Sequence, residues 1–458
     1  MDATLALARI VRELDYDSLP ETSRRAAAQL TLDTVGSALA GVQAPGIAEL
    51  RQVTGGMAAG PVPVWATGQR LSAPAATLVN SSTAHALEYD DLHDSLPVHS
   101  GIVVVPAALA VAATRPELTG RDILTAIVVG TEVICRLARA TRSYTGTAGF
   151  RGWNPTSVVA GFGAAAVAGR LLGLDPEGIA RAMGLSYVQA GGNQQCIEDG
   201  GLVKRMQPGL VAEAGVRAAW LAQAGITGAS RPLEGKYGYY RLYEGGEYDP
   251  APLNAPAGNS LEIDHVCFKR YPVCGMAQPA MDALRDLQLA HGFAPDDVAG
   301  ITAHGSKFVV DMVGRPFRPG ANPEVDAQFN LSYCLATIRE REDFSLADLV
   351  PERTLDPASR AAADAIPVKL APELKGKWEA RVEVSLRDGR LLSARRSKAA
   401  WQEDRRMSEA DLLAKFRACA ALAGPGMSAE RAEALASMLL DLAKLDDLSG
   451  LHAALASG

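Results

Sequence analysis

Apolar residues recur at helical spacing through the first half of the chain. From the start to about residue 230 the sequence is rich in alanine and leucine. Segments such as SRRAAAQLTLDTVGSALAGV (residues 23–42) and GRDILTAIVVGTEVICRLARA (residues 120–140) have the periodicity of helices. Glycine and proline interrupt this pattern at short intervals, as they do between packed helices. The pattern predicts a compact helical bundle.

The pattern changes near residue 258. SLEIDHVCFKRYP (residues 260–272) is typical of a strand followed by a turn, and DDVAGITAHGS (residues 296–306) contains another short apolar run. EARVEVSLRDGRLLSARRS (residues 379–397) alternates every second residue around Asp388-Gly389, which predicts a β-hairpin. Helical patterning lies between these runs, at Gly275–Ala290 and Pro323–Arg339.

These runs predict two domains. Residues 267–399 have the mixed pattern of an α+β domain, whereas the chain is helical again from Met407 to Leu455. The fold class we predict is mainly α with an α+β lobe. A large all-helical domain would be formed by residues 1–266 and 400–458, and a smaller α+β lid domain, residues 267–399, would be inserted in it.

Composition narrows the class of protein. The chain has 458 residues with 48% hydrophobic and 21% charged residues, which is ordinary for a globular protein. A net charge of −7 without a long basic run argues against nucleic acid as a partner. MDATLALARIVREL lacks the pattern of a signal peptide, and GIVVVPAALAVAA is too short to span a bilayer. Six scattered cysteines without a CxxC pair argue against a zinc ribbon or an iron–sulfur cluster and fit the reducing cytoplasm. We therefore expect a cytoplasmic protein with no membrane partner.

One short stretch concentrates groups that can exchange protons or bind metals. HALEYDDLHDSLPVHSG (residues 85–101) contains three of the seven histidines and four acids. A metal site would use Asp91, His93 and His99, but their spacing is loose and matches no sharp ligand motif. Pro97 favours an extended approach to His99. A proton-transfer site and a polar, solvated loop are the other two interpretations.

A helix over Ser82–Asp91 would have a specific electrostatic requirement. Asp90 and Asp91 would then lie near its C-terminal end, where carboxylates oppose the helix dipole. Some other group would have to compensate for them. The stretch alone does not identify that group.

Two further segments offer helix starts and positive charge. In RGWNPTSVVAGFGAAAVAGRLLGLD (residues 151–175), Asn154 is a candidate N-cap before Pro155, and an exposed helix N-terminus can hold a carboxylate. The Gly161-Phe-Gly run resembles a dinucleotide loop, but close helix packing is favoured because no strand precedes it. In EDGGLVKRMQPG, Lys204 and Arg205 form either a solvated basic turn or an anion-binding site.

The remaining two segments lie in and beside the predicted lid. In CFKRYPVCGMAQPA, Lys269 and Arg270 precede the predicted start of a helix at Cys274, which is either a reactive thiol with a lowered pKa or a buried inert one. In DAQFNLSYCLA, Tyr333 lies on a predicted helix, where a core aromatic with a satisfied hydroxyl is the more common outcome.

In this order, the segments closely resemble the MmgE/PrpD family. The resemblance rests on HALEYDDLHDSLPVHSG, RGWNPTSVVAGFGAAAVAGRLLGL, EDGGLVKRMQPG, LEGKYGYY, FKRYPVCG with QPAMDAL, and DAQFNLSYCLA, and it extends from about residue 3 to 450. The family includes 2-methylcitrate dehydratase, cis-aconitate decarboxylase and iminodisuccinate epimerase. The resemblance implies a helical domain with an α+β lid, a homodimer, no cofactor, and an active site between the domains.

The resemblance also implies roles for single residues. It places Asp90, Asp91 and His99 at the acidic and histidine positions of the first motif. Lys204 and Lys269 take the two basic positions, which would offset the charge of a di- or tricarboxylate substrate. Arg270 is a further candidate for binding substrate. Tyr333 takes the tyrosine position on the lid helix.

Three residues depart from the family pattern. Relatives commonly have histidine where this chain has Asn154 and Gln207, and the decarboxylase has one where this chain has Cys274. We keep Asn154 and Gln207 as candidates for substrate binding and Cys274 as a catalytic candidate.

We predict an enzyme that transfers a proton α to a carboxylate. His99 is the best general base or acid because its ordinary pKa lies near neutrality, and Asp90 and Asp91 would orient it. The leading interpretation is a cofactor-free lyase that eliminates water from a hydroxy di- or tricarboxylate. An epimerase, with Cys274 or Tyr333 facing His99, is the alternative. A decarboxylase and a carboxylate-binding protein without activity are further possibilities.

Overall fold

The computed structural model describes residues 2–145, 151–402 and 406–457. The helices in these ranges are α1 (Ala3–Glu13), α2 (Glu21–Gly41), α3 (Ile47–Met57), α4 (Ala73–Ala84), α5 (Gly101–Ala112), α6 (Gly120–Ala140), α7 (Arg142–Thr145), α8 (Pro155–Leu171), α9 (Pro176–Ser186), α10 (Gln195–Glu198), α11 (Gln207–Gln223), α12 (Tyr239–Glu244), α13 (Ala251–Asn254), α14 (Gln278–His291), α15 (Lys307–Val313), α16 (Pro323–Gln328), α17 (Leu331–Arg341), α18 (Pro351–Thr354), α19 (Pro357–Asp364), α20 (Glu409–Ala420), α21 (Ala429–Leu440) and α22 (Ser449–Ala456). The strands are β1 (Ala59–Pro63), β2 (Arg70–Leu71), β3 (Leu92–His93), β4 (Val266–Cys267), β5 (Val298–Gly305), β6 (Val368–Leu370), β7 (Ala380–Leu386) and β8 (Leu391–Arg396).

Helix α5 is buried along its whole length. Its sequence, GIVVVPAALAVA, has no charged residue, and a helix that is apolar on all sides is stable only when neighbours surround it. Helices α4, α6, α8 and α11 pack around it. Helices α6 and α8 approach each other closely, because a Cβ added at Gly163 would lie 2.9 Å from the carbonyl oxygen of Gly130. The Gly161-Phe-Gly run is therefore a helix-packing surface, as predicted.

A four-stranded sheet forms the β part of the fold. Its strand order is β6-β5-β7-β8, with β5 and β6 parallel and the other pairs antiparallel. Strands β7 and β8 form the predicted hairpin. Gly389 lies in its turn with a φ of +91°, which a residue without a Cβ adopts at little cost. Helix α14 packs against β7 and β8. The fold is thus mainly helical with a smaller α+β part, as the sequence pattern predicts.

A two-residue strand pair connects the histidine-rich stretch to the second basic segment. Strands β3 and β4 are antiparallel, and Leu92 pairs with Cys267 while His93 pairs with Val266. Because backbone hydrogen bonds fix this register, residues 88–91 are placed next to residues 267–270. The functional site therefore depends on a contact between segments that are far apart in the chain.

The C-terminal helices return to the first part of the chain. Helices α20 and α21 both pack against α2, and α22 packs against β1. The domain boundaries at residues 267 and 399 stay a prediction. No helix in the described ranges is both long and apolar enough to cross a membrane.

Two expected helix boundaries were wrong. Helix α4 ends at Ala84, so residues 85–91 are not helical, because the chain turns at Glu88. Helix α14 begins at Gln278 and not at Cys274, with Pro279 in its first turn, where proline is well accommodated. The pattern over Pro323–Arg339 forms two helices, α16 and α17, separated at Phe329 and Asn330.

Candidate active site

The backbone of the histidine-rich stretch turns sharply at Glu88. This residue has a φ of +54°, in the left-handed region where a residue with a Cβ is strained on the order of 1 kcal/mol or more. Lys269 stabilises the turn, since its ammonium group donates to the carbonyl oxygen of Glu88 at 3.0 Å and to the carboxylate at 3.3 Å. The turn directs the side chains of Glu88 and Asp90 toward the same cluster of basic groups.

Asp90 binds two histidines at once. Its carboxylate accepts from Nδ1 of His85 at 3.0 Å and lies 2.8 Å from Nδ1 of His99. Burial of Asp90 opposes ionisation, but the two imidazoles and the ammonium group of Lys269 together lower the pKa of Asp90 well below its usual value. Asp90 is therefore a carboxylate that fixes the orientation of both rings.

The hydrogen bonds of His99 determine which ring nitrogen can react. Nδ1 of His99 also lies 2.6 Å from the carbonyl oxygen of Asp91, which only accepts. Because both neighbours of Nδ1 are acceptors, Nδ1 carries a proton, and Nε2 is the nitrogen that remains for a substrate. The side chain of His99 is 17% exposed, whereas that of Asp90 is fully buried. His99 is thus oriented by protein groups on one side and is accessible on the other.

His85 connects Asp90 to a lysine. Its Nε2 lies 2.8 Å from the ammonium nitrogen of Lys204, so Nε2 accepts and Nδ1 donates to Asp90. Burial, with Lys204 nearby, lowers the pKa of His85 to about 3, and the ring is therefore neutral. Burial and the positive charge of Lys269 also lower the pKa of Lys204.

Both predicted lysines contact the carboxylate of Glu88. One oxygen of Glu88 pairs with Lys204 and the other with Lys269. Lys269 is fully buried, whereas Lys204 lines the cavity beside His99. The two lysines thus meet at one protein carboxylate, and of the two Lys204 lines the cavity. Their predicted role in binding substrate stays a prediction.

Asp91 has a different role from Asp90. Its carboxylate accepts from the backbone N–H groups of Ser100 and Gly101 at 3.0 and 3.1 Å, at the start of α5. Gly101 permits this close approach, because an added Cβ would lie 2.6 Å from the Asp91 carboxylate. Burial and the charge of Asp90 raise the pKa of Asp91 to about 7. Asp91 therefore holds the segment that carries His99 on the end of α5.

The cavity lies between the histidine-rich stretch, the start of α8 and segments of the α+β part. Its lining residues are His85, Glu88, Leu92, Pro97, His99, Asn154, Pro155, Thr156, Gln194, Ile197, Lys204, Cys274, Gly275, Met276, Met312, Phe329 and Trp378. Asn154 caps α8 as predicted, with its side chain accepting from the N–H of Ser157 at 3.2 Å. The adjacent Thr156 hydroxyl accepts from the N–H of His99 at 3.1 Å. The start of α8 thus helps to position His99.

Cys274 lines the cavity, but its environment differs from a reactive thiol at a helix start. It precedes α14 by four residues, and its backbone N–H donates to the carbonyl oxygen of Gln328. Burial raises the pKa of the Cys274 thiol. The thiol is therefore protonated near neutral pH, and the hypothesis of a lowered pKa was wrong.

Two other predicted residues, Tyr333 and Arg270, lie away from the cavity lining. The Tyr333 hydroxyl donates to the carbonyl oxygen of Asp348 at 2.5 Å, and its ring packs against Phe317. Arg270 lies in a different, mixed-charge groove and is 4.0 Å from Asp343. Their predicted roles in catalysis and binding stay predictions.

Gln207 does not line the cavity but stabilises a loop that does. Its amide accepts from the N–H of Asn193 at 2.6 Å and donates to the carbonyl oxygen of Asn193 at 3.0 Å. These bonds hold the loop that contributes Gln194 and Ile197 to the lining. Gln207 therefore shapes the cavity without lining it.

The structure separates the residues of the predicted metal triplet. His93 turns away to donate from Nε2 to Glu262 at 3.0 Å, while its Nδ1 accepts from the N–H of Ser95. His85, Asp90 and His99 do lie close enough to hold an ion. However, Nδ1 of His85 already donates to Asp90, and Nδ1 of His99 faces the carbonyl oxygen of Asp91 and lies 2.8 Å from Asp90.

Several groups of the site were absent from the sequence-based prediction. Glu88 and His85 belong to the quoted stretch, but no local pattern indicated the left-handed turn that directs Glu88 inward. Lys415 of α20 was also missed. Its ammonium group donates to Asp33 at 2.7 Å and to the carbonyl oxygens of Tyr89 and Lys269 at 2.6 and 3.2 Å. It therefore holds together the two backbone segments that carry the site.

The fold and site define a helical protein with a buried acid–base cluster beside a lysine-lined cavity. Residues 5–251 match the MmgE/PrpD N-terminal domain and residues 271–441 match the MmgE/PrpD C-terminal domain. The chain belongs to the MmgE/PrpD family.

Similar proteins include decarboxylases. Cis-aconitate decarboxylase of Aspergillus terreus is 30% identical over 286 residues, which are 60% of this chain and 58% of that protein. Cis-aconitate decarboxylase-like protein oryM of Aspergillus oryzae is 28% identical over 69% of this chain and 67% of its own. Human cis-aconitate decarboxylase is 26% identical over 83% of this chain and 79% of its own length. The match thus spans less than two thirds of the Aspergillus terreus protein.

Proposed function

We propose that this protein is a lyase that breaks a bond next to a carboxylate of a small di- or tricarboxylate, with His99 as the proton-transfer group. One observation carries this proposal. His99 is held through Nδ1 by Asp90 and the Asp91 carbonyl oxygen, and it lines the same cavity as Lys204. An oriented base beside a cation is what removal of a proton α to a carboxylate requires.

The first candidate reaction is elimination of water. Nε2 of His99 takes the proton from the carbon α to the substrate carboxylate. The electron pair of that C–H bond forms the double bond as the hydroxyl group leaves the β-carbon. The imidazolium then returns its proton to the departing hydroxide, which gives water and restores neutral His99. Lys204 stabilises the negative charge that develops on the carboxylate during proton removal.

The three residues that depart from the family pattern support elimination of water. One imidazole serves both steps, so the reaction does not need further histidines at positions 154, 207 and 274. Asn154 caps a helix, Gln207 holds a loop, and Cys274 is a protonated thiol. None of these side chains replaces an imidazole as a base near neutral pH.

A second candidate is decarboxylation, because the relatives described above are named cis-aconitate decarboxylases or decarboxylase-like. In this case the imidazolium form of His99 donates its proton to an alkene carbon. The π electrons of the alkene form the new C–H bond, and the electrons of the breaking C–C bond form a new double bond at the neighbouring carbon as carbon dioxide leaves. The same oriented ring serves both reactions, and the protonation state at the start distinguishes them.

An epimerase has less support. It needs acid–base groups on opposite faces of one carbon. Cys274 lines the cavity, but burial keeps its thiol protonated, and the Tyr333 hydroxyl is bonded to Asp348. Neither side chain is arranged as a second base.

The test is a substrate panel in deuterated water. Purified protein is incubated with 2-methylcitrate, related hydroxy-tricarboxylates and cis-aconitate, and products are followed by proton NMR and by carbon dioxide release. Alkene formation without carbon dioxide identifies a dehydratase, and carbon dioxide release identifies a decarboxylase. Proton exchange without a new product would instead indicate an epimerase and contradict the lyase proposal.

His99→Gln tests the role of the proposed proton-transfer group. We expect kcat to fall by about 10²-fold or more, as for loss of general acid–base catalysis. His291→Gln is the matched control, because His291 is exposed at the end of α14. A near-normal kcat for His99→Gln would remove His99 from the mechanism.

A further inference from the structure

We propose that Glu88 is an internal carboxylate that occupies the lysine pair when the site is empty and thereby limits how tightly a substrate carboxylate binds. This inference rests on the proposed function, because it concerns the same cavity and the same class of ligand. Nothing in the histidine motif or its spacing indicates such a role for this glutamate.

The carboxylate of Glu88 divides its two oxygens between two cations. Oε1 pairs with Lys204, and Oε2 lies 3.3 Å from the ammonium nitrogen of Lys269. The side chain of Glu88 is only 4% exposed, so water screens these contacts weakly. In this arrangement both ammonium groups have an anionic partner before any ligand arrives.

The two lysines differ in access. Lys269 is fully buried and does not line the cavity, whereas Lys204 and Glu88 both line it. A carboxylate that enters the cavity can therefore reach Lys204 but not Lys269. At Lys204 it meets a cation that is already paired, and it also meets the negative charge of Glu88. The ligand must share Lys204 with a fixed anion, which weakens its binding.

Glu88 itself cannot easily move out of the way. Its backbone lies in the left-handed region, and Lys269 binds both its carbonyl oxygen and its carboxylate. Lys269 thus acts as a buried anchor for Glu88. The shared group is Lys204, which exchanges part of its contact with Glu88 for a contact with the ligand. Glu88 is therefore a residue that sets affinity, and it also favours release of a carboxylate product.

The experiment is a binding titration that does not depend on turnover. Citrate and succinate are titrated by calorimetry into wild-type protein, Glu88→Gln, the double variant Glu88→Gln/Lys204→Met, and the control Glu433→Gln. The control makes the same change in net charge at an exposed carboxylate of α21 that pairs with Arg417. We expect Glu88→Gln to bind citrate at least about 10-fold more tightly than wild type, because one like charge is removed and one cation is freed.

The double variant shows whether the increase in citrate affinity depends on Lys204. We expect the double variant to lack this increase, and we expect Glu433→Gln to bind citrate like the wild type. Equal or weaker binding by Glu88→Gln, or a gain that survives loss of Lys204, overturns the inference. If neither wild type nor Glu88→Gln binds either acid, the inference is also wrong.

A shorter acid keeps the inference testable if Glu88→Gln does not fold. Glu88→Asp retains the charge near Lys269 but withdraws it from Lys204, so citrate should raise its melting temperature more than that of wild type. A smaller rise overturns the inference. Failure of the proposed function is separate: tighter binding by the variants without alkene or carbon dioxide production would refute the lyase and leave the role of Glu88 standing.

Discussion

Replacing Asp90 with asparagine tests whether one carboxylate controls both histidines. The carboxylate faces Nδ1 of His85 at 3.0 Å and Nδ1 of His99 at 2.8 Å. An asparagine of the same size keeps one oxygen but replaces the other with an NH2 group, which cannot accept from an imidazole N–H. His85 then shares the remaining oxygen with His99 or faces the NH2 group, and the negative charge that holds both rings is lost.

The magnitude follows from the lost contact. A hydrogen bond to a charged group contributes about 1.5–3 kcal/mol, so the variant should be less stable by about that amount. If His99 changes tautomer, its Nε2 carries the proton and no longer acts as a base. We then expect kcat to fall by about 10²- to 10⁴-fold. KM should change less, since Lys204 keeps its contact with Glu88.

The assay compares kcat and KM with the melting temperature of each variant. Asp94→Asn is the control, because Asp94 also pairs with a histidine, His265, at 3.1 Å but does not line the cavity. A normal kcat in a folded Asp90→Asn protein would refute the assigned hydrogen bonds. Equal losses of kcat in both variants would show that general destabilisation, and not the orientation of His99, explains the effect.

Two further predictions concern titrating groups. Because burial raises the pKa of Cys274, we expect this thiol to react with iodoacetamide at neutral pH at least about 10-fold more slowly than a small free thiol. Peptide mass spectrometry measures the rate, and rapid labelling of Cys274 would contradict the prediction. The pKa of Asp91 rises from 3.8 to about 7 on folding, so the folded state prefers the protonated carboxyl. Below about pH 4 the carboxyl is protonated in both the folded and the unfolded state, and the folded state has its full stability. As the pH rises to about 7, the unfolded state ionises more readily, and the free energy of unfolding falls by about 4 kcal/mol. Denaturant unfolding of wild type and Asp91→Asn across this range should show wild type losing stability relative to the variant, and a constant difference would refute the assignment.

The elements that were predicted correctly from the sequence are those whose residues interact with near neighbours in the chain. The hairpin at Asp388-Gly389, the cap at Asn154 and the packing of α8 all follow from local preferences of the chain, and the structure confirms them. His99 was proposed because the ordinary pKa of histidine lies near neutrality, because it follows Pro97 in a polar stretch, and because it matches the histidine position that the family resemblance implies. The structure adds the hydrogen bonds that leave its Nε2 available.

The site was predicted less well where distant segments meet. His85 and Lys204 are 119 residues apart, and their contact depends on how α4 packs against α11. The turn at Glu88 is strained and persists because Lys269 stabilises it, so no local propensity indicates it. The burial of Lys269 against Glu88 is likewise a consequence of tertiary packing alone.

The position of Lys415 has a consequence for how the protein is made. Lys415 bonds to the carbonyl oxygen of Tyr89, which lies 326 residues earlier in the chain, and to that of Lys269. During synthesis on the ribosome, the N-terminal helices can pack before α20 has emerged. The segments carrying Asp90 and Lys269 would then already be present but would lack the ammonium group that joins them. A nascent chain therefore completes the contacts that join these two segments only after α20 has been synthesised.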